Sequence, residues 1–286
     1  MLAGGGADAA GVERWKVAAV GARTEILAAC PVPGTGECST AVFAPSGAAP
    51  QTVQTWDWHD LLVPDALLHE LVPSPGRTVK LFTEFGAPGK IGVNSAGLGV
   101  HFNILFHASD SADGGVPVHA VARRILDEAD TLDQALEIAS TARVSASTSL
   151  TLVTAGSSAA SLELSPAGLA IVPVGEDGRL LHTNHFLDAG LAAGDTGPAD
   201  SLTTERLAHL REVRAAMPGL APAERAKALC GGAGADAVVC LRPDEDKPPH
   251  QQWGTLLTIG LDVTDCALDY LAGTPHEATT AGTARF

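Results

Sequence analysis

The sequence of 286 residues has few aromatic and few basic side chains. Phe, Trp and Tyr together make up 4%, so the core must be built from Val, Leu, Ile and Ala. Lys and Arg number 18 against 33 Asp and Glu, which gives a formal net charge of −15. Because such a chain repels phosphate backbones and anionic lipid headgroups, we expect no nucleic-acid partner and no membrane partner.

Targeting signals and paired cysteines are also missing. No apolar stretch approaches the roughly 18 residues that span a bilayer. The start, Met1–Gly6, has neither the basic region nor the apolar run of a signal peptide. The cysteines are odd in number and contain no Cys-x-x-Cys pair, unlike a disulfide framework or a zinc site. We therefore predict a cytoplasmic protein whose thiols are free: Cys30, Cys38, Cys230, Cys240 and Cys266.

The common motifs for cofactors and metals are absent as well. Neither Gly34-Thr35-Gly36 nor the glycine cluster at 231–234 stands between a predicted strand and helix, as a dinucleotide-binding loop requires. There is no Gly-x-Ser-x-Gly elbow, no P-loop lysine and no His-Glu-x-x-His pattern. We predict neither a cofactor nor a metal site.

Hydrophobic periodicity and turn residues predict blocks of strands separated by pairs of helices. Without regular strand–helix alternation, a doubly wound sheet is disfavoured, and a layered α+β sandwich in one domain, 1–286, is favoured. Predicted helices are 118–130, one beginning at Thr131, 203–217 and 221–229. Predicted strands are 38–43, 52–58, 90–94, 98–104, 149–155, 160–164, 169–174, 180–183, 254–263 and 267–272.

The first predicted hairpin places a thiol beside a carboxylate. Cys38 begins a strand directly after the Pro/Gly-rich loop 31–36. If Ala44 pairs with Gln51 in the next strand, Cys38 lies opposite Asp57. The turn between the strands has six residues, so the register could slip by one or two positions.

Cys38 has two interpretations. It could be a small buried side chain at the start of a core strand. It could also be a nucleophile, which needs a neighbouring base or a lowered pKa. No histidine lies nearby in the sequence. An α-amino group freed by a cut before Cys38 could serve, since its ordinary pKa of about 7.7–8.0 leaves a useful neutral fraction.

Five short motifs together resemble one known family. From about Val12 to the end, the chain is similar to the acyl-coenzyme A:isopenicillin N acyltransferase family, peptidase family C45, which includes carcinine and β-alanyl-dopamine hydrolases. The resemblance implies an N-terminal nucleophile hydrolase with a four-layer αββα sandwich, made as a precursor that cuts itself immediately before its cysteine. The motifs are Arg23-Thr24-Glu25-Ile26, Gly36-Glu37-Cys38-Ser39-Thr40, Thr55-Trp56-Asp57-Trp58, Gly92-Val93-Asn94-Ser95-Ala96-Gly97-Leu98-Gly99 and His182-Thr183-Asn184-His185-Phe186-Leu187.

The resemblance assigns chemical roles to single positions. Cys38 matches the cysteine that cleaves the precursor after Glu37 and then acts as the nucleophile, with its freed amine as the general base. Asp57 matches an aspartate that sets the charge state and orientation of the nucleophile. Asn184 matches an asparagine whose side chain is expected to donate into the oxyanion hole, where losing one donor typically costs about 10²–10³ in rate.

Three other motif residues have less definite roles. Arg23 and Glu25 fall in the small fragment 1–37, which the resemblance implies stays bound to the catalytic fragment 38–286. They form either a structural salt bridge or a support for precursor cleavage and pocket shape. His185 is either a hydrogen-bonded structural histidine or a supporting residue. The late arginine of the family is not assigned to any position of this sequence.

The leading hypothesis is a self-processing amidohydrolase that cleaves a small-molecule amide through an acyl-enzyme thioester. The alternative is an acyltransferase that uses acyl-coenzyme A or an amide donor. The acidic balance and the lack of a Lys/Arg cluster near the motifs disfavour coenzyme A phosphates, so hydrolysis is preferred.

Two rivals remain beside this hypothesis. In a conjugated-bile-acid or penicillin V hydrolase the cysteine usually follows the initiator Met, whereas 37 residues precede Cys38 here. A non-catalytic binding protein of the same fold would have no need for Cys38, Asp57 and Asn184 together.

Overall fold

Two antiparallel sheets and flanking helices make up the described part of the chain. The computed structural model describes residues 2–30, 37–62, 66–199 and 201–286, so the loop 31–36 with its Gly34-Thr35-Gly36 cluster lies outside the described residues. The α-helices are α1 (Leu2–Ala10), α2 (Arg14–Gly21), α3 (Arg23–Ala29), α4 (Val118–Glu128), α5 (Leu132–Thr141), α6 (Ala189–Ala192), α7 (Thr203–Val213), α8 (Pro222–Cys230) and α9 (Ala278–Ala281). Short 3₁₀ helices are Asp60–Leu62, Arg214–Ala216, Gly231–Asp236, Pro249–Gln251 and Pro275–Glu277.

The strands form two sheets with different connectivity. The strands are β1 (Glu37–Phe43), β2 (Gln51–His59), β3 (Ala66–Ser74), β4 (Arg77–Glu84), β5 (Ile91–Asn94), β6 (Leu98–Ile104), β7 (Thr148–Thr154), β8 (Ala159–Ser165), β9 (Gly168–Pro173), β10 (Arg179–His182), β11 (Trp253–Asp262), β12 (Ala267–Ala272) and β13 (Ala284–Arg285). The first sheet has the order β10-β1-β2-β11-β12-β13, and the second runs in chain order from β3 to β9. The second sheet is therefore a simple meander, whereas the first gathers strands from distant parts of the chain.

The two sheets face each other between two helical layers. Side chains such as Val42 and Trp56 on the inner face of the first sheet share one apolar cluster with Phe102 of the second sheet. On the outer face, Ala41 and Val53 pack with residues of α7 and α8, while α4 and α5 contact the second sheet. The predicted four-layer αββα sandwich is confirmed.

The helices on the second sheet follow the predicted pattern. In α4, Val121, Ile125 and Leu126 are buried on one face, as the 3.6-residue period requires. The Thr131 hydroxyl caps α5 by accepting the backbone N–H of Gln134. None of the helices in the described ranges is long and apolar enough to cross a membrane.

The register of the first hairpin differs from the prediction by one residue. Phe43, rather than Ala44, pairs with Gln51. The turn between the two strands therefore takes residues 44–50 rather than 45–50, and the Ala44 N–H continues the pairing with β10 on the other side of β1 by donating to the Gly178 carbonyl at 2.8 Å. Consequently Cys38 lies opposite Trp56, and Asp57 lies opposite Glu37. The expectation that Cys38 and Asp57 are directly opposite was wrong.

Several elements lie outside the sequence predictions. The hairpin β3–β4 was not predicted, and neither were the helices that precede β1. The glycine-rich start forms α1, which packs on α2 and buries Ala7. This helix ends at Ala10, before Gly11, whose φ is +65°. Packing against α2 outweighs the low helix propensity of the three glycines.

Candidate active site

Cys38 is the second residue of β1, and both its backbone N–H and its backbone carbonyl form hydrogen bonds. Its N–H donates to Oδ1 of Asn184 at 2.7 Å. Its carbonyl accepts from Nη1 of Arg206 at 2.6 Å and from Nδ2 of Asn103 at 3.1 Å. The strand start that carries the thiol is thus fixed by side chains from three other elements.

The thiol is buried on the inner face, where Cys38 exposes only 3% of its surface. The pKa of the Cys38 thiol is raised to about 12, mainly by burial and also by the charge of Asp57. Lys90, the backbone N–H of Asp57 and Arg206 lower this pKa. The surroundings therefore favour the neutral thiol, and the nearby cations partly offset this effect.

Asp57 lies on the other face of the sheet from the thiol. Residues opposite each other share a face, so Asp57 points outward with Glu37 and with Thr255 of β11. The residue is fully buried, and neither carboxylate oxygen has a hydrogen-bond partner of ordinary geometry among the described residues. The pKa of Asp57 is raised to about 7, mainly by burial; Arg206 and the nearby Thr255 hydroxyl oppose this rise, and the charge of Glu37 contributes to it.

Asn184 follows β10 and bridges Cys38 to the second sheet. Its Oδ1 accepts from Cys38 and, at 3.0 Å, from Nη2 of Arg206. Its Nδ2 donates to the Ile104 carbonyl at 2.9 Å. Two N–H donors bind the amide oxygen and a backbone carbonyl binds the amide nitrogen, so the orientation of the Asn184 side chain is fixed. One N–H of Nδ2 has no other partner in the described ranges and can serve as a donor.

Arg206 is the site residue that the sequence analysis missed. Its side chain is 1% exposed, and its guanidinium also binds Oγ of Ser39 at 3.1 Å. Nε lies 3.3 Å from Oε2 of Glu37, so one arginine holds both residues that flank the predicted cut. The signal was available: within the predicted helix 203–217, Arg206 shares the buried face with Leu207 and Leu210.

Glu37 is held in place from a second direction. Its Oε1 accepts from Oγ of Ser201 at 2.9 Å and from the Leu202 N–H at 3.1 Å. Together with Arg206, these contacts tie the residue before the predicted cut to the start of α7. The peptide bond between Glu37 and Cys38 therefore lies in a rigid, hydrogen-bonded frame.

Arg23 and Glu25 do not pair with each other. Nη1 of Arg23 binds Oε1 of Glu84, and its guanidinium lies 4.5 Å from the Trp58 ring centroid. Oε1 of Glu25 accepts the Val118 N–H at 2.8 Å, at the start of α4. Burial raises the pKa of Glu25, although the Val118 N–H opposes this. Both residues therefore join α3 to elements of the predicted catalytic fragment.

His185 is hydrogen-bonded beside the site. Its Nδ1 lies 2.8 Å from Oγ1 of Thr203 and 3.3 Å from Oγ1 of Thr183. Burial lowers the pKa of His185, so the ring is neutral near physiological pH. These contacts are those of a structural histidine that orders the loop carrying Asn184.

The described residues contain no group of three or more His, Cys, Asp or Glu side chains that could hold a metal ion. The polar groups around Cys38 are instead an amide, a guanidinium and a carboxylate. This set can bind and orient a peptide bond, hold an amine and stabilise a developing negative charge.

Comparisons with solved structures define the class of fold. Two variants of conjugated bile acid hydrolase from Clostridium perfringens match with TM-scores of 0.54 and 0.55, at 12% and 11% identity. Each match covers 82% of this chain and 89% of the solved chain. The fold is therefore that of the N-terminal nucleophile hydrolases.

The family follows from sequence comparison. A family model described as acyl-coenzyme A:6-aminopenicillanic acid acyl-transferase matches residues 45–276, and the chain belongs to this family. The resemblance inferred from the motifs is confirmed at that level. The matched range begins after Cys38, so it does not include the candidate nucleophile.

One curated relative gives the scale of the similarity. The chain is 33% identical over 147 residues to the 40 kDa form of acyl-coenzyme A:6-aminopenicillanic-acid-acyltransferase from Emericella nidulans. The match covers 51% of this chain and 40% of that protein, so less than half of the relative is represented.

Proposed function

We propose that this chain is a self-processing cysteine amidohydrolase that acts on a linear amide of a small molecule. The observation that carries the proposal is the frame around Cys38. Asn184 binds its nitrogen, and Arg206 binds its carbonyl and approaches the preceding Glu37. Family membership and the N-terminal nucleophile fold support the same chemistry.

In the proposed processing step, the Cys38 thiolate attacks the carbonyl carbon of Glu37. The C–N bond to Cys38 breaks, the nitrogen takes up a proton, and a thioester links Glu37 to Sγ. Water then hydrolyses the thioester. The products are the small fragment 1–37, ending in a carboxylate, and the catalytic fragment 38–286, which begins with the free amine of Cys38. We treat both as parts of a single domain.

In the proposed turnover, the freed amine of Cys38 is the general base. Oδ1 of Asn184 already accepts from this nitrogen, so it is placed to orient the amine. The thiol gives its proton to the amine and attacks the amide carbonyl, and the free N–H of Asn184 stabilises the oxyanion. The substrate amine leaves with the proton, and water hydrolyses the acyl-enzyme thioester. Asp57 and Arg206 set the charges around the amine from the outer face.

We propose that the two fragments stay associated after the cut. The guanidinium of Arg23 binds the carboxylate of Glu84. Oγ1 of Thr24 lies 3.3 Å from Nε2 of His119, and Oε1 of Glu25 accepts the backbone N–H of Val118. Each contact crosses from the small fragment to the catalytic fragment and is partly or fully buried. Removing the small fragment would leave these polar groups unpaired, which is costly.

Acyl transfer from acyl-coenzyme A is the second candidate function. Membership in an acyltransferase family favours it. An outer-face cleft of about 290 Å³, lined in part by Arg179, Arg211 and Arg214, offers positive charge to phosphates. Asp177 binds Arg179 and Arg214 there, which weakens this field. We therefore keep hydrolysis as the first candidate.

We also propose that the enzyme is cytoplasmic, because its cysteines are free.

The test is the intact mass of purified protein incubated at neutral pH. We expect wild-type protein to separate under denaturing conditions into 1–37 and 38–286, and Cys38→Ala to keep the full-length mass. Cys30→Ala is the matched control, since this exposed thiol lies in the small fragment and its loss should leave processing unchanged. Cleavage in Cys38→Ala, or none in wild type, would contradict the proposal.

A substrate panel separates the two candidate reactions. Processed protein is incubated with N-acyl and β-alanyl amines, with and without acyl-coenzyme A and an acceptor amine. Release of free amine without acyl-coenzyme A supports hydrolysis. Amide formation that depends on acyl-coenzyme A, with negligible release by water, would replace hydrolysis with acyl transfer.

A further inference from the structure

A fully buried lysine lies on the thiol side of the first sheet and has no part in the proposed reaction. The Lys90 side chain, just before β5, is 1% exposed. Its Nζ lies 3.0 Å from Oε2 of Glu84, and 4.2 Å and 5.5 Å from the ring centroids of Trp56 and Trp58. Burying an ammonium is costly, so this position needs a physical reason.

Trp56 connects this ammonium to the candidate nucleophile. It stands directly opposite Cys38 in the ladder between β1 and β2, so both side chains project from the inner face. Cys38, Trp56 and Trp58 also belong to the same buried apolar cluster. The charge of Lys90 lowers the pKa of Cys38, and a thiolate at Cys38 in turn raises the pKa of Lys90.

The cluster around Lys90 carries more positive than negative charge. Glu84 is shared between Lys90 and Arg23. Although burial alone would raise it, these two cations lower the pKa of Glu84 to about 2, so the carboxylate is ionised. His119, on α4, contributes no charge because burial lowers its pKa to about 3.

One positive charge is therefore left without a counterion. Among the described groups whose charges act most strongly on Lys90, Glu84 and Cys38 are the two that can become anionic. Glu84 is already matched by Arg23. A thiolate at Cys38 is thus the anion that would complete the cluster.

We propose that Lys90 is a positioning residue that stabilises the Cys38 thiolate, and that Arg23 of the small fragment supports it by sharing Glu84. The inference rests on the proposed function, since it takes Cys38 as the nucleophile. It also gives the small fragment a role after the cut. While Arg23 stays bound to Glu84, the charge of this carboxylate is shared between Arg23 and Lys90, so it does not fully neutralise Lys90.

The effect has a defined pH range. Burial lowers the pKa of Lys90 to about 8, although Glu84 opposes this. The ammonium therefore acts on the thiolate below about pH 8, and its effect fades as the proton is lost above that value. Asp57 opposes the thiolate and Arg206 favours it, and both remain present when Lys90 is changed.

The test is the rate of Cys38 alkylation by iodoacetamide, measured by peptide mass spectrometry between pH 6.5 and 10. Wild-type protein is compared with Lys90→Met and Lys90→Arg in the same processing state, checked by intact mass, and exposed Cys30 is the internal reference. We expect Lys90→Met to slow Cys38 alkylation roughly 10-fold at pH 7, as one pKa unit implies. The deficit should close above about pH 9, and Lys90→Arg should stay within about 3-fold of wild type.

Lys80→Met is the matched control. Lys80 also lies near a glutamate and an aromatic ring, with Nζ 3.9 Å from Oε2 of Glu70 and 5.5 Å from the Phe286 ring centroid. Its loss should leave Cys38 alkylation unchanged. Equal Cys38 rates in Lys90→Met and wild type at pH 7, or a deficit that does not change with pH, would overturn the proposal.

A second pair of variants decides the matter if Lys90→Met does not fold. Arg23→Gln should slow Cys38 alkylation below pH 8, because Glu84 then neutralises Lys90. Arg14→Gln, which removes an exposed ion pair with Asp8 in the same fragment, should not. Equal rates in Arg23→Gln and wild type would overturn the proposal. Alkylation needs no substrate, so these results are independent of the cleavage test on Cys38→Ala, which decides the proposed function.

Discussion

On the inner face of the first sheet, the Cys38 thiol packs with Trp56 and Trp58, whereas one residue away on the outer face Glu37 and Asp57 point toward Arg206. Next to the thiol, the inner face has two tryptophans and the buried Lys90, and further along it has Thr40 and Gln54, which bond to the second sheet. Next to the thiol, the outer face has ionic side chains, and Arg206 binds the backbone of Cys38. The comparison separates two tasks: the inner face sets the reactivity of the thiol, and the outer face fixes the peptide and the future amine.

The largest effect is expected from breaking the outer face at Arg206. Arg206→Met removes the contacts to Cys38 and Asn184 and leaves the fully buried Asp57 and the partly buried Glu37 without their cation. We expect a loss of roughly 3–5 kcal/mol in the free energy of unfolding, measured with urea, and no processing. Arg206→Lys keeps the charge but not the planar fork, so an intermediate result is expected.

Arg211→Met on the same helix is the control for Arg206. Arg211 is exposed, and its loss should change the unfolding free energy by less than about 0.5 kcal/mol. If Arg206→Met unfolded at the same urea concentration as Arg211→Met, the contacts of Arg206 on the outer face would not stabilise the fold.

The next largest effect, on turnover, is expected at Asn184, which connects Cys38 of the first sheet to Ile104 of the second. Asn184→Ala should reduce turnover of a small amide by about 10²–10³, because it removes an oxyanion donor and the acceptor for the Cys38 amine. The measurement is kcat on processed protein. His185→Gln, the adjacent residue, should stay within a few-fold of wild type, since it keeps a hydrogen-bonding side chain. A wild-type kcat in Asn184→Ala would refute the oxyanion role.

The effect that is smallest per step of the measurement is the pH dependence of Asp57, which tests the charge on the outer face. The folded pKa, about 7, is raised above the ordinary value of 3.8, mainly by burial. Between these values the unfolded chain has released a proton that the folded chain still holds. The stability contribution of Asp57 therefore falls as pH rises from about 4 to 7 and is constant outside that window.

Asp57→Asn removes this titration with little change in volume. The wild-type unfolding free energy, measured relative to Asp57→Asn, should fall by at most about 1.4 kcal/mol per pH unit within the window. Processing and turnover should also slow in this variant. A difference that stays flat from pH 4 to 7 would show that Asp57 is ionised throughout.

Local patterns in the sequence were sufficient for most of the helices and strands. Alternating residues in 38–43 and 52–58 indicated strands, and the apolar face of 118–130 indicated a helix that packs on a sheet. In the structure, Cys38 and Asp57 lie on paired strands and the Cys38 N–H binds Asn184, while the catalytic roles that the motifs assign to these residues stay predictions. The hairpin β3–β4 escaped because part of its first strand is exposed and lacks clean alternation.

The face on which Asp57 lies could not be read from the sequence. A hairpin register depends on where the last ladder pair forms, and here that pair is Phe43 with Gln51, one residue earlier in β1 than the turn residues indicated. Because side chains alternate, a shift by one residue moves Asp57 to the face opposite the thiol.

By itself, the sequence determined the strands and helices with regular patterns, the family and the candidate nucleophile Cys38, because these depend on local periodicity and short motifs. Only the tertiary structure decided which charges surround the thiol. Arg206 binds the carbonyl of Cys38 although 168 positions separate the two residues in the sequence. Lys90 lies over the ring of Trp56, which stands opposite Cys38 in the sheet. A buried charge is tolerated only where distant elements supply its partners, and these partners are set by packing rather than by sequence spacing.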